Sequence, residues 1–216
     1  MTDRLNKIFE VLPSCEVFAD IGCDHGYLAK AMLKSGKAKK VIVSDISAKC
    51  LKKAEDLLSV YIQKGICESA VSDGFERVND CDLALIAGMG GEEISAIMEK
   101  AFSLNKLPKT LVIQPMKNCD KARLTALKVG YAVKYDKVFK SAKKYYNLIL
   151  LEKGNDALSQ EEIEFGRDNI KLLHQDFIDM MRDTFEKLTR VLEQENLAID
   201  VKNSVEERLE KIKKYV

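Results

Sequence analysis

A doubly wound α/β sheet is the fold this sequence predicts, and three observations predict it. Short β-rich runs alternate with amphipathic helical runs along the first two thirds of the chain. The last two β-rich runs are separated only by 140–144, too few residues for a crossover helix. A long helical pattern fills the rest. Alternation of strand and helix builds a parallel sheet with helices on both faces. A short connection forces the last two strands into an antiparallel pair.

The strand-like runs are Val17–Asp20, Val41–Ser44, Ile66–Val71, Leu83–Ala87 and Thr110–Gln114, followed by Tyr131–Phe139 and Tyr145–Leu151. Helical spacing of apolar residues marks Leu28–Lys34, Ala48–Gln63, Glu92–Phe102 and Asp120–Lys128. Gly154-Asn155-Asp156 breaks the pattern, so residues 1–154 form the expected first domain and 155–216 an appended one. Ser159-Gln160-Glu161-Glu162 reads as a capping box that opens a long helix. Its apolar face runs through Ile170, Leu173, Phe177, Met181, Phe185, Leu188 and Leu192. Asn196 is the expected stop, and Ser204-Val205-Glu206-Glu207 the start of a second helix carrying Val205, Leu209, Ile212 and Val216. The pair reads as an antiparallel, coiled-coil-like hairpin. Its Met and Phe stripe is packing surface, and the lone His174 is a packed or solvated residue.

The 216 residues suffice for a sizeable core. No apolar run reaches membrane-spanning length, and the first residues lead into no signal-peptide core. A soluble, cytoplasmic protein is expected. Six scattered cysteines without a C-x-x-C pair, and only 2 histidines, argue against zinc and fit a reducing compartment. The net charge of +1 hides an asymmetry. Residues 1–154 hold 25 Lys and Arg against 19 Asp and Glu, and the remainder is acidic. A basic head admits an anionic partner.

Five segments carry candidate chemistry. The first is Asp20-Ile21-Gly22-Cys23-Asp24-His25-Gly26-Tyr27-Leu28, a strand, a turn and a helix start. Gly22 permits a tight turn and close approach of a ligand. A phosphate-binding loop would avoid an acid such as Asp20 at the strand end. The loop suits a positively charged nucleoside, of which S-adenosylmethionine is the common one. Cys23 sits in the loop as a small neutral residue. Asp45, closing the second strand beside Ile46, is placed to accept from ribose hydroxyls, or to cap the following helix. Asp73-Gly74 after the third strand offers a carboxylate to an exocyclic amine. Ala87-Gly88-Met89-Gly90-Gly91 opens the backbone after a central strand, at the expected switch point. Gln114-Pro115 forms a rigid rim at the end of the fifth.

Together these segments resemble the bacterial TrmK-type tRNA adenine-N1 methyltransferases. The matching residues are Arg4-Leu5, the Asp20–Leu28 segment, Ala87–Gly91 and Gln114-Pro115, in order and spacing. Ala29 and Met116 stand where that family often has Pro and Asn. A parallel sheet closed by one antiparallel strand is the class I methyltransferase (Rossmann-like) arrangement. The resemblance implies methyl transfer from S-adenosylmethionine to N1 of adenine 22 in the tRNA D-arm, by a chain expected to be a monomer without metal. With the strand-end readings above, the expected cofactor residues are Asp20, Gly22, Cys23, Asp45, Ile46, Asp73, Gly74, Ala87, Gly88 and Met89. Asp24, His25 and Tyr27 fall at the reacting base. Arg4, Gly90, Gly91, Gln114, Lys143 and Lys144 fall to the RNA. Lys30, Lys34, Lys37, Lys39 and Lys40 are further candidates for phosphate contacts, as are Lys140, Tyr145 and Tyr146. From the residues alone, methylation of a small molecule or protein and non-catalytic RNA binding remain open alternatives.

Overall fold

The computed structural model describes residues 1–194 and 197–216; Asn196, the expected helix stop, lies outside them. A single seven-stranded sheet forms the centre. Its strands are β1 (Cys15–Ile21), β2 (Ala38–Asp45), β3 (Cys67–Val71), β4 (Leu83–Met89), β5 (Thr110–Pro115), β6 (Tyr131–Ser141) and β7 (Lys144–Lys153). Each predicted strand is present, lengthened by a few residues at one or both ends except for β3, which starts one residue later. The helices between them are α2 (Tyr27–Ser35), α3 (Ala48–Gln63), α4 (Gly91–Ser103) and α5 (Cys119–Lys128). Helix α1 (Asp3–Val11) stands outside the alternation read from the sequence. Its signal is short: Thr2 caps it by accepting the Leu5 N–H, and Ile8 is buried.

The spatial order is β3-β2-β1-β4-β5-β7-β6. The chain winds outward from β1 to β3, returns to β4 beside β1, then winds the other way. The switch point therefore lies between β1 and β4. Strands β1 to β5 run parallel; β7 is antiparallel to both β5 and β6. The single antiparallel strand is thus inserted before the edge, not at it. Hence β6 runs with β1 to β5, and the 142–143 turn projects from the same end of the sheet as their carboxyl ends.

Both faces are buried, which explains the near-continuous apolar strands. On β4, Ala84 and Ile86 face α4 and α5, with Ile94, Met98, Ala122 and Ala126. Leu83 and Leu85 face the opposite layer, with Ile8 of α1, Met32 of α2 and Leu58 of α3.

The tail differs from the long-helix expectation. The Ser159 capping box exists, but it opens a helix of six residues, α6 (Gln160–Phe165). Gly166 ends it by leaving the helical region (φ +91°), and a Cβ there would lie 2.8 Å from Asp136 and 2.9 Å from Arg123. Helix α7 (Arg167–Leu172) follows, Leu173 turns left-handed, and only then comes α8 (Gln175–Leu192). Ser204 is not a start either: α9 spans Ile199–Ile212, and Ser204 lies inside it. Helices α8 and α9 do pack together as a hairpin. Phe165, Phe177, Met181, Ile212 and Tyr215 close a third core against Val138 of β6.

Beneath that core lies an ion pair with no solvent exposure. Arg123 donates to both carboxylate oxygens of Asp136, at 2.7 and 2.8 Å. It also donates to the Ile163 carbonyl (3.0 Å) and to Asn147 Oδ1 (3.0 Å). One side chain thereby joins α5, β6, β7 and α6. The tail further covers the exposed edge of β6. Asp156, Asp168, Asn169 and Asp176 accept from the backbone N–H groups of Val133, Asp136, Val138 and Lys140, at 2.8–3.0 Å. Uncovered, such an edge templates pairing with another chain. Arg123→Leu strands a buried carboxylate and is expected to cost about 3–5 kcal/mol, read as a lowered midpoint in urea. Arg123→Leu with Asp136→Leu should recover a large part of that loss.

Candidate active site

Three strand-end turns meet at the switch point. Strand β1 delivers Asp20, only 6% exposed, to the floor of a cavity of about 630 Å³. That size suits a nucleoside-sized ligand. The first turn is pinned to the second, since the N–H groups of Gly22 and Cys23 both donate to the Ser44 carbonyl, at 2.8 and 3.0 Å. Gly22 has φ +73°, and a Cβ there would meet Met89 Cε at 2.1 Å. The left-handed backbone favours glycine here, and the Met89 side chain crosses from the β4 end into the space a Cβ would take.

Asp24 holds a left-handed conformation, φ +45°. An acid tolerates that region better than most side chains, so it can stand where a glycine is usual. It does not cap α2, whose N-cap is Gly26 with no side-chain hydrogen bond. Its own N–H donates to Asp45 Oδ2 (3.3 Å), and its carboxylate takes Lys53 Nζ at 3.1 Å and lies 3.5 Å from His25 Nε2. Asp45 Oδ1 accepts the Ser47 N–H at 2.8 Å, while Ser47 itself caps α3. Asp45 thus ties two turns together and keeps lone pairs for hydroxyl donors. His25 and Tyr27 stack at the mouth, centroids 5.3 Å apart and planes 20° from parallel. Tyr27 is 45% exposed.

At the far end, Asp73 and Gly74 face Lys100, which bridges Asp73 and Glu76 at 2.8 Å each. Lys53 and Lys100 escaped the sequence reading; each lies on a helix, on the face turned to the acidic turns, which only the fold reveals. Burial, then the neighbouring Asp45 charge, raise the Asp20 carboxyl from 3.8 to about 7. Burial and the same acids push the Cys23 thiol up, so it stays protonated. An acid made costly to ionise by burial ionises more readily beside a cation.

The structure brings together Arg4, Asp20, Gly22, Cys23, Asp24, His25, Tyr27, Asp45, Ile46, Asp73, Gly74, Ala87, Gly88 and Met89 around this one cavity. Gly90 and Gly91 sit behind it; a Cβ on Gly91 would reach 1.9 Å from the Asn118 carbonyl, so that glycine serves close packing of α4 on the β5–α5 turn. Gln114 is wholly buried, pairs in the sheet with cavity-lining Ala87, and accepts from Arg4 at 2.6 Å. Lys143 and Lys144 stand at the 142–143 turn, at the cavity's end of the sheet. Lys37, Lys39 and Lys40 do not: they flank the start of β2, at the opposite end. Lys37 closes α1 by donating to the Phe9 and Leu12 carbonyls, and Lys39 pairs with Glu16 at 2.8 Å. Their placement therefore gives the phosphate-tracking role expected of these three no support at the cavity.

A doubly wound sheet with carboxylates at the ends of β1 and β2 and a glycine-lined β4 end has the architecture of class I methyltransferases. A family described as a methyltransferase domain matches residues 1–149, and the chain belongs to it. A Mycoplasma pneumoniae protein named for tRNA methylation is 36% identical over 107 residues, 48% of this chain and 47% of its own. The tRNA (adenine(22)-N(1))-methyltransferase of Bacillus subtilis is 28% identical over 161 residues, 72% of this chain and 66% of its own. The chain thus spans between about half and two thirds of these relatives' lengths. Among solved structures, M. capricolum TrmK in complex with S-adenosyl-homocysteine superimposes with a TM-score of 0.84 at 26% identity, covering 100% of this chain and 97% of that one.

A test of the buried acid follows from its sign. Because the folded state raises the Asp20 pKa, its contribution to stability is complete below about 4 and is lost as pH rises through about 7. Asp20→Asn is therefore expected to stabilise the ligand-free protein at pH 8 by about 2–4 kcal/mol, with little gain near pH 4. Thermal unfolding at both pH values measures it.

Proposed function

We propose that this chain transfers the methyl group of S-adenosylmethionine to N1 of an adenine in tRNA, the position corresponding to adenine 22. The carrying observation is one cavity that unites buried Asp20 and the Asp45 turn with the His25–Tyr27 stack at its mouth. The names of the B. subtilis and M. capricolum relatives support the same substrate and cofactor. The residues fit that cofactor. Gly22 leaves the space a Cβ would fill, Asp45 keeps lone pairs for two ribose hydroxyls, and Asp20 supplies a counter-charge.

S-adenosylmethionine, when bound, supplies a methyl group made electrophilic by its sulfonium. The protein's part is orientation and charge. Neutral adenine presents the N1 lone pair in the ring plane, so no base has to remove a proton first. The His25–Tyr27 pair offers a flat surface for an extruded base, which N1 requires because it lies on the pairing edge. Asp24, held by Lys53 and 3.5 Å from His25 Nε2, would place a carboxylate beside the positive charge of a methylated adenine lying on that stack. Lys140, Lys143 and Lys144 carry positive charge on the hairpin at the same end of the sheet, suited to the RNA backbone. The reading takes the chain to act as a monomer.

Unmodified tRNA incubated with isotopically labelled cofactor should yield labelled 1-methyladenosine on nucleoside mass spectrometry. Label in another nucleoside, or none, contradicts the proposal. Asp20→Ala should lower cofactor affinity at least about tenfold by calorimetry.

A further inference from the structure

One wall of the cavity comes from a helix and not from the strand-end turns. Helix α4 lays Glu93, Ala96, Ile97 and Lys100 along it, a stripe at helical spacing. The stripe presses on the turn after β3. Gly74 (φ +58°) stands so close that a Cβ on it would lie 3.0 Å from Ile97 Cγ2. Lys100, one helical turn further along, reaches the same turn and places Nζ 2.8 Å from both Asp73 Oδ2 and Glu76 Oε1.

The backbone of that turn is fixed from other sides. The Ser72 N–H donates to the Asp45 carbonyl at 3.0 Å. Ser72 Oγ donates to the Gly74 carbonyl at 3.0 Å and accepts the Arg77 N–H at 3.1 Å. Lys106 Nζ donates to the Glu76 and Val78 carbonyls, at 2.7 and 3.1 Å. What these bonds leave open is the direction of the Asp73 side chain, which is half-exposed. Lys100 is the only hydrogen-bond donor found for that carboxylate among the described residues, and it takes Oδ2. Oδ1 keeps its lone pairs. One ammonium shared by two carboxylates leaves the set net negative, so Asp73 is held as an acceptor with no proton to give.

We infer that Lys100 is a positioning residue that sets nucleobase selectivity. By holding Asp73 ionised and in one direction, it makes this end of the cavity accept a 6-aminopurine and reject a 6-oxopurine. The amine donates to the waiting lone pair; a carbonyl oxygen in its place sets two acceptors face to face and leaves both unpaired. This rests on the reading of the cavity as the site of an S-adenosyl cofactor. As a stabiliser of the fold an exposed ion pair contributes little. Lys100 therefore acts on selectivity and not on folding.

Calorimetry with two probes tests this: S-adenosylhomocysteine and S-inosylhomocysteine, which carry an amine and a carbonyl at purine position 6. The wild-type chain should prefer the first by at least about tenfold. Lys100→Met should shrink that preference at least about threefold, chiefly by weakening S-adenosylhomocysteine, with the urea midpoint unchanged. Lys100→Arg should restore it, since a guanidinium fork also bridges two carboxylates. Asp73→Asn should abolish it, because an amide can turn either a donor or an acceptor to the base. No preference in the wild-type chain, an unchanged ratio in Lys100→Met, or a preference that survives Asp73→Asn overturns the inference. If the wild-type chain binds neither probe, the cofactor reading falls and the inference with it. If it binds S-adenosylhomocysteine and the variants behave as wild type, only the inference falls.

Discussion

Everything at the site follows from β1 being paired on both sides, to β2 and to β4. A parallel strand so placed ends in a crevice, because the connections on its two sides leave toward opposite faces. Asp20 is buried by that geometry rather than by any local pocket. The cost of burying a carboxyl there is what raises its pKa to about 7. The same geometry sets the turns after β1 and β2 within hydrogen-bond reach, so the Ser44 carbonyl and the Asp45 carboxylate can lock the first turn. Gly22 and Met89 then come into contact because β4 is the other neighbour.

The second wing of the sheet is held differently. Strand β7 turns back between β5 and β6, which brings the 142–143 turn and its lysines to the cavity's end. That wing would be an open edge without the tail. Side-chain acceptors from residues 156–176 satisfy the β6 N–H groups, and Arg123 binds the underlying layers to α6. A buried ion pair is weak as a source of net stability, but breaking one half of it is expensive. Its four-element geometry, with Gly166 packed against it, fixes one docking of the tail. The acidic helices and the basic sheet are therefore joined by a specific polar core as well as by Phe165, Phe177 and Tyr215.

Much of this was legible in the sequence, for physical reasons. Strand-helix alternation survives as a pattern because strands buried on both faces must be apolar throughout. The short 140–144 gap dictated an antiparallel pair. Strand-end acids stand out because acids are rare there. What the sequence hid depends on contacts distant in the chain. Helix α1 is too short to show a full amphipathic repeat. Gly166 reads as a tolerated helix glycine until Asp136 and Arg123 are placed beside it. Lys37 and Lys39 follow the loop closely in sequence, yet a whole helix carries them to the other end of the sheet. Lys53 and Lys100 gave no signal, since a helical lysine is ordinary until its partner is known. Gln114 looked like a rim residue because position along a strand does not reveal burial.

The central claim is that Asp20 is a proton-holding acid that ionises to receive a cationic nucleoside. Calorimetry of S-adenosylmethionine binding near pH 6.5, repeated in buffers of different ionisation enthalpy, reads the protons exchanged. The account predicts net proton release on binding, fading above about pH 8 and absent in Asp20→Asn. Binding with no proton release at pH 6.5, or with a release that persists in Asp20→Asn, would contradict it.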